Sequence, residues 1–175
     1  MIISSKGGVF VYKIGEKIIY GQIGVCQVVD VCYKEFIKNK KQEYYILKPI
    51  FDENNKIYAP TTNSKIFMRS LISKKEAEDL IIKIPSIIEK TADLQESTKE
   101  EYIEKINNHT LENLVELTAF IYTKKKIICK DKKRLNNIDE KYMKIGENLL
   151  FGELAAVLDI PLCDVQKYIE SRLKK

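Results

Sequence analysis

The sequence contains few of the residues on which metal sites and many enzymes depend. Its 175 residues include no tryptophan and a single histidine, His109. The four cysteines, at positions 26, 32, 129 and 163, form no Cys-x-x-Cys pair. A structural zinc site or a Cys/His catalytic pair would have to be assembled from very few groups. We therefore expect no metal site, no cofactor and no catalysis that relies on histidine.

Long hydrophobic runs are also absent. No apolar run approaches the roughly 18 residues that a membrane-spanning helix requires, and Met1-Ile2-Ile3 is too short for a signal peptide. Apolar residues nonetheless make up 45% of the chain, and the net charge is only +5 although 31% of residues are charged. This balance is typical of folded domains rather than of disordered chains. We expect one or two small domains in a reducing, cytoplasmic compartment, with no membrane segment.

Glycine is scarce, and no glycine-rich loop suggests a nucleotide site. Gly21 and Gly24 lie between two predicted strands and precede no helix, so they do not fit a phosphate-binding loop. Glu100 and Glu104 lie on a predicted helix surface, which favours solvated charges over an acid–base pair. His109 directly precedes a predicted helix and is interpreted as a turn residue. We predict no catalytic residue and no small-molecule substrate.

The first 72 residues are typical of short β-strands. Apolar and β-branched runs predict strands over 17–20, 25–36, 44–47, 56–59 and 66–69. Strands this short and closely spaced favour a small antiparallel barrel or a strongly bent sheet. In the second strand, alternation predicts Val29, Val31 and Tyr33 on one face and Val28, Asp30 and Cys32 on the other. Cys26 and Cys32 would lie about 20 Å apart along that strand, too far for a disulfide, and are interpreted as core residues.

After residue 72 the spacing of apolar residues becomes helical. Ser73 and Glu76 form a capping box, and Pro85 is expected to end that helix. The predicted domains are a β-domain over 1–72, a connecting helix and tether over 73–96, and an all-α bundle over 97–175, which together make an α+β protein. Further helix starts are predicted at Ser97–Glu100, at Thr110 and at Asn137–Glu140, with a turn at Asp159–Pro161 and a last helix ending near Leu173.

Positive charge is concentrated in one segment of the helical half. Between Lys124 and Arg134 there are seven basic residues and one acid, Asp131. Such a cluster can contact phosphates, since each lysine that neutralises one releases a counterion. The alternative is a solvated surface in a lysine-rich chain. The candidate DNA-binding residues are Lys124, Lys125, Lys126, Lys130, Lys132, Lys133 and Arg134.

The two halves together resemble the CarD/CdnL family of bacterial transcription regulators. The resemblance rests on Ile14-Gly15-Glu16, Ile18-Ile19-Tyr20, Gly24 and Gln42-Glu43-Tyr44 followed by Leu47. It extends through the helical half in EYIEKI (101–106), LENLVELTAFIY (111–122) and MKIGENLLFGELAAVLDIP (143–161). The same N-terminal module, a Tudor-like domain, occurs in transcription-repair coupling factors.

The resemblance implies a non-catalytic protein that binds the β subunit of RNA polymerase through its N-terminal domain. Such a protein is expected in the cytoplasm, at the nucleoid through the polymerase. By position, the polymerase contacts fall at Lys34, Phe36 and Tyr58, of which Lys34 and Tyr58 stand where some relatives have arginine. A bent sheet also offers an edge strand that can pair with a partner strand. An exposed Phe36 has an alternative, which is to fold back into the core.

The resemblance further implies that the helical domain touches promoter DNA. Family members that act on the promoter insert a tryptophan at the junction of duplex and melted DNA, where an aromatic wedge stabilises the unstacked step. The corresponding position here falls near Gln95, followed by Glu96 and later by Glu100 and Glu101, and Gly21 replaces a usual proline. We therefore expect the polymerase contact to be retained and the DNA contact to be weakened.

The sequence also permits two other classes of function. The segment from Leu149 to Leu173, with its turn at 159–161, is similar to a helix-turn-helix, although any helical hairpin is. The net charge of zero over residues 86–175 argues against a DNA-binding protein of that kind. The third possibility is a polymerase-bound scaffold whose helical domain recruits another protein.

Overall fold

In the computed structural model, the chain divides into two compact units, residues 1–71 and 72–175. The structure describes residues 12–38, 40–51, 55–62, 65–91, 97–130 and 134–174. The first unit contains an antiparallel sheet and the second contains helices, which confirms the predicted α+β class.

The first unit is a five-stranded sheet in the order β4-β3-β2-β1-β5. Every neighbouring pair is antiparallel, which short connections between consecutive strands favour. The two strands at the ends of this order, β4 and β5, are the edges of the sheet. The strands are β1 (Lys17–Tyr20), β2 (Gly24–Ile37), β3 (Lys40–Pro49), β4 (Ile57–Pro60) and β5 (Met68–Ser70). The predicted turn over 52–55 lies mostly outside the described residues.

A β-bulge at Val29 changes which side chains of β2 face the core. Val28 pairs with Leu47 and Asp30 pairs with Ile46, so Val29 is an extra residue between them. Val28 and Val31 consequently both contact the core, while Asp30 is exposed. The predicted grouping of Val28 with Asp30 and Cys32 on one face is wrong, because simple alternation does not account for an inserted residue.

One face of the sheet carries the core of the first unit. Its buried members are Tyr12, Ile18, Tyr20, Cys26, Val28, Tyr45, Leu47, Ala59 and Met68. Cys26 is completely buried, as expected, whereas Cys32 is only half-buried. All four cysteines are free thiols.

In the second unit, the described residues form five α-helices around one apolar core. They are α1 (Lys74–Thr91), α2 (Lys99–Asn107), α3 (Leu111–Lys130), α4 (Asn137–Leu158) and α5 (Val165–Leu173), the last preceded by a 3-10 turn over Leu162–Asp164. The connection into α1 is held by Glu153, a completely buried residue of α4 whose carboxylate accepts a hydrogen bond from the Ile72 N–H at 3.0 Å.

The first helix does not end at Pro85, as the sequence predicted, but continues to Thr91. Proline within a helix costs about 3 kcal/mol. Ile84 and Ile87, on either side of it, are both buried in the core, and each buried isoleucine contributes about 1.5–3 kcal/mol. Because Pro85 itself points to solvent, burial of its neighbours outweighs the lost backbone bond.

Two helix starts lie one residue away from their predicted positions. The second capping box is formed by Thr98 and Glu101, not by Ser97 and Glu100, and α4 is capped by Asn136. The predicted cap at Thr110 is confirmed, since its hydroxyl accepts a hydrogen bond from the Asn113 N–H at 3.3 Å. Adjacent polar residues can all act as caps, so the choice between them depends on which helical phase buries the apolar face.

Candidate interaction surfaces

An aromatic group lies on the outer face of the sheet, opposite the core. Phe36 of β2 makes edge-on contacts with Tyr44 of β3, with ring centroids 5.1 Å apart, and with Tyr58 of β4, at 5.3 Å. Such T-shaped arrangements are the favoured geometry for aromatic pairs. We call Phe36, Tyr44 and Tyr58 the aromatic surface.

The strand register explains how this surface forms. Tyr44 and Ile46 point to the same face of β3 because they are two residues apart, and Tyr58 pairs with Ile46 on that face. Phe36 lies beyond the bulge on β2 and reaches across β3 to Tyr58. Tyr44 is buried beneath this contact, whereas Phe36 is 58% exposed and Tyr58 is 38% exposed. Phe36 therefore does not fold back into the core.

The predicted polymerase contacts are only partly brought together. Phe36 and Tyr58 are in contact, and Lys34 is an exposed residue on the same strand as Phe36, paired with Gln42. Lys34 and Phe36 lie on an interior strand of the sheet, while Tyr58 lies on the edge strand β4. Among the described residues, no strand pairs with the outer side of β4. One of the two edges of the sheet is therefore next to Tyr58.

The first three lysines of the basic cluster (124–134) make different contacts within the helical unit. Lys124 Nζ lies 2.6 Å from Oδ2 of the buried Asp139 on α4. Lys125 is close enough to Glu147 to oppose the rise that partial burial causes in the pKa of that carboxyl. Lys126 Nζ lies 4.7 Å from the centre of the Tyr122 ring. Lys124 thus has a structural partner, in contrast to a freely solvated lysine.

The structure describes two of the four remaining basic candidates. Lys130 and Arg134 are exposed. Lys132 and Lys133 lie outside the described residues, as does Gln95, near which the resemblance predicts the family's tryptophan position. Tyr102, the nearest aromatic residue to that position, is 1% exposed and packs in the helical core.

Sequence reasoning missed Asp139 as an important residue. Asp139 is 2% exposed, and its Oδ1 accepts a hydrogen bond from the Tyr102 hydroxyl at 2.9 Å. Burial, together with the hydrogen bond to this carboxylate, raises the pKa of Tyr102 far above its ordinary value. The sequence pattern indicates Asp139 only as part of a capping segment. The sequence does contain a signal of its burial, since Asp139 lies one turn before Tyr142 on the apolar face of α4.

The C-terminal hairpin is bound to the first helix of its unit. Arg172 of α5 forms an ion pair with Glu78 of α1 at 3.0 Å, and Tyr168 donates a hydrogen bond to the same carboxylate. These bonds lower the pKa of Glu78. A recognition helix needs its polar side chains free to reach base edges, so these contacts argue against a helix-turn-helix function for α5.

The described residues contain no group of three or more His, Cys, Asp or Glu side chains that could hold a metal ion. In the same part of the chain, no helix combines the length and the apolar character needed to cross a membrane. His109 occupies the turn between α2 and α3 with φ of 54°, and its N–H donates to the Ile106 carbonyl. The interpretation of His109 as a turn residue is confirmed.

Comparison with known families identifies the first unit. Residues 12–72 match the family model of the CarD-like/TRCF RID domain, where RID stands for RNA-polymerase-interacting domain. A search of curated proteins finds no match. The matched segment contains all five strands and the whole aromatic surface, and it ends where the helical unit begins. The β-sheet unit of this chain therefore belongs to the CarD-like/TRCF family of RNA-polymerase-interacting domains.

Proposed function

We propose that this protein is a non-catalytic bacterial transcription regulator that docks on the β subunit of RNA polymerase and modulates initiation. The family of residues 12–72 supports RNA polymerase as the partner. The proposal adds the subunit, the residues that touch it and the consequence for initiation.

The observation that supports this docking mode best is the aromatic surface beside an edge strand. Phe36 and Tyr58 keep large apolar areas exposed, and aromatic residues of this kind commonly dominate binding energy at interfaces. The backbone of β4 can add a partner strand by main-chain hydrogen bonds, with its neighbouring side chains giving selectivity. Pro60 has no N–H, so pairing would depend on the residues before it.

Lys34 plays a different part in this proposal. It is exposed and two residues from Phe36, which places a positive charge at the margin of the aromatic surface. Exposed charges at the margin of an interface change the association rate and its salt dependence more than the final affinity. We therefore assign affinity mainly to Phe36 and Tyr58 and partner selection to Lys34.

Binding of the full-length protein to the isolated lobe of the β subunit tests the proposal. We expect Phe36→Glu and Tyr58→Glu each to weaken binding at least about tenfold, the effect of losing about 1.4 kcal/mol. Ile23→Glu is the matched control, since Ile23 is also exposed but precedes the opposite end of β2. Circular dichroism would confirm that each variant is folded.

Two results would overturn the docking proposal. One is no binding by the folded wild-type protein. The other is an equal loss of affinity in the Ile23→Glu control, which would assign the effect to charge or folding rather than to the aromatic surface.

The effect on initiation is tested by transcription in vitro on promoters of differing melting stability. The chain has no tryptophan with which to wedge the melted junction, so we expect a smaller change in open-complex lifetime than a wedge would give. Phe36→Glu should remove whatever change the wild type produces, since docking precedes it. Full activity of that variant would contradict the proposed order of events.

A further inference from the structure

The strand that carries Phe36 is irregular at that residue. Between the pair Lys34–Gln42 and the pair Ile37–Lys40, the register of β2 shifts by one residue relative to β3. Phe36 lies within this shift, in a second bulge of β2. Because a bulge interrupts the ladder of backbone bonds and re-aims the side chains beside it, the ladder alone does not fix the direction of the Phe36 ring.

Tyr44 is the fixed part of the aromatic surface. At this position the backbone of β3 is paired on both sides, with Cys32 of β2 and with Pro60 of β4. Tyr44 is only 7% exposed, whereas Phe36 is 58% exposed. The two rings meet edge-on at an interplanar angle of 84°. The buried ring therefore supports the exposed one.

The burial of Tyr44 is not explained by the apolar core of the first unit. Adjacent residues of a strand point to opposite faces of the sheet, and the next residue, Tyr45, belongs to that core. Tyr44 faces the other way and is not a member of the core that the described residues form. A rigid aromatic side chain buried beneath an exposed one is what a preorganised contact surface requires.

We infer that Tyr44 is a positioning residue of the aromatic surface, which holds the Phe36 ring against Tyr58 before the partner binds. The inference rests on the proposed function and adds to it how the surface is kept ready for docking. A side chain that is already held in one rotamer loses less conformational entropy on binding. Tyr44 is too buried to offer much contact area itself, so it acts through Phe36, whose ring lies 5.3 Å from that of Tyr58.

NMR of the free full-length protein with 13C-labelled phenylalanine measures the position of the Phe36 ring. The Phe36→Leu variant assigns its resonances among those of the six phenylalanines. Ring currents of the neighbouring tyrosines should displace these resonances in the wild type. Tyr44→Leu should move them towards those of an exposed phenylalanine, whereas Tyr44→Phe, which keeps the ring, should retain most of the displacement. Unchanged Phe36 resonances in Tyr44→Leu would overturn the inference.

Tyr45→Leu is the matched control, since it removes the neighbouring tyrosine from the opposite face of the same strand. It should lower the melting temperature and leave the Phe36 resonances in place. An equal displacement in this control would assign the effect to general loosening of the sheet and would contradict a positioning role. If Tyr45→Leu does not fold, Tyr45→Phe replaces it, because that variant removes only the hydroxyl that accepts from the Tyr12 N–H. If Tyr44→Leu does not fold, Tyr44→Met replaces it, since methionine fills irregular space.

Binding of the full-length variants to the isolated β lobe gives the functional readout. Without the edge-on contact, Tyr44→Leu should bind about three- to tenfold more weakly than the wild type. In a Phe36→Ala background the same substitution should have little further effect, because no ring is left to position. An equal loss in both backgrounds would show that Tyr44 acts through overall stability, which is the opposite of the inference. Absence of binding by the wild type is failure of the docking proposal, and the Phe36 resonances of the free protein then decide the positioning role by themselves.

Discussion

The Lys124 ammonium lies 2.6 Å from the Asp139 carboxylate, although Asp139 is almost completely buried. The same carboxylate accepts a hydrogen bond from Tyr102, so one acidic side chain connects α2, α3 and α4. Removing one partner of a buried ion pair leaves an uncompensated charge. The first lysine of the basic cluster is therefore part of the architecture of the helical unit.

Replacing Asp139 should destabilise the helical unit. Asp139→Ala leaves both the Tyr102 hydroxyl and the Lys124 ammonium without this acceptor. We expect a loss of about 1–3 kcal/mol in the free energy of unfolding, because the buried Tyr102 hydroxyl is left without its acceptor, while the partly exposed Lys124 ammonium remains hydrated. Urea denaturation followed by circular dichroism measures it.

The neighbouring Glu140→Gln is the control for Asp139→Ala. Glu140 is exposed, and exposed substitutions are usually within about 0.5 kcal/mol of neutral. If Asp139→Ala were as stable as this control, the network would contribute nothing to the fold.

The contact between α3 and α4 depends on Gly146. A Cβ atom at this position would lie 2.9 Å from Thr118 Cγ2 and 3.3 Å from Leu117 Cδ2. Alanine adds about 1 kcal/mol of helix propensity, whereas overpacking costs about 1–3 kcal/mol. We expect Gly146→Ala to be neutral or to lower stability by up to about 2 kcal/mol, measured by chemical denaturation.

Thr118→Ser provides the test of that explanation. Serine removes Cγ2 and retains the hydroxyl that donates to the Leu114 carbonyl at 2.8 Å. In the Thr118→Ser background, Gly146→Ala should be less destabilising than in the wild type, or stabilising. A coupling of zero in this double-mutant cycle would show that the Thr118 methyl group is not what limits the space.

The first unit should lose stability at alkaline pH. Burial raises the pKa of the Cys26 thiol from 9.0 to about 12, and desolvation likewise raises the pKa of Tyr12 to about 12. The folded state therefore keeps these protons at pH values where the unfolded chain has released them. The contribution of Cys26 is complete below pH 9 and is lost as pH rises towards 12.

Cys26→Val removes the titrating thiol and keeps an apolar side chain of similar size. Its free energy of unfolding, measured between pH 8 and 11, should fall less steeply than that of the wild type. The fall should not vanish, because Tyr12 and Tyr20 also have raised pKa values. Parallel curves for the two proteins would show that ionisation of Cys26 does not contribute.

Much of the secondary structure followed from local pattern. Four of the five strands lie within two residues of their predicted bounds, and the last helix ends at Leu173 as predicted, because period-two and helical spacing of apolar residues are local properties. The exception is β3, which begins at Lys40, four residues before its predicted start. Capping residues were identified to within one position for the same reason. Pro85 and the Val29 bulge were not predicted, since in each case distant packing decides whether the local cost is accepted.

The residues of the candidate surfaces could be predicted from the sequence, but their arrangement in space could not. Lys34, Phe36 and Tyr58 were identified through the family resemblance, yet only the strand register places the rings of Phe36 and Tyr58 5.3 Å apart. The basic cluster was visible as a run of lysines. Only the position of α4 shows that Lys124 is paired with a buried acid, whereas Lys126 and Lys130 are exposed.

The sequence by itself therefore determined the two-part α+β organisation, the helix and strand types and the resemblance of the first unit, because these depend on neighbouring residues and on ordered motifs. The tertiary structure alone decided that the strand of Tyr58 is an edge of the sheet and which lysine is paired with a buried acid. The physical reason is that contacts such as Lys124–Asp139 join residues far apart in the chain, and no local pattern specifies which of many possible partners will meet.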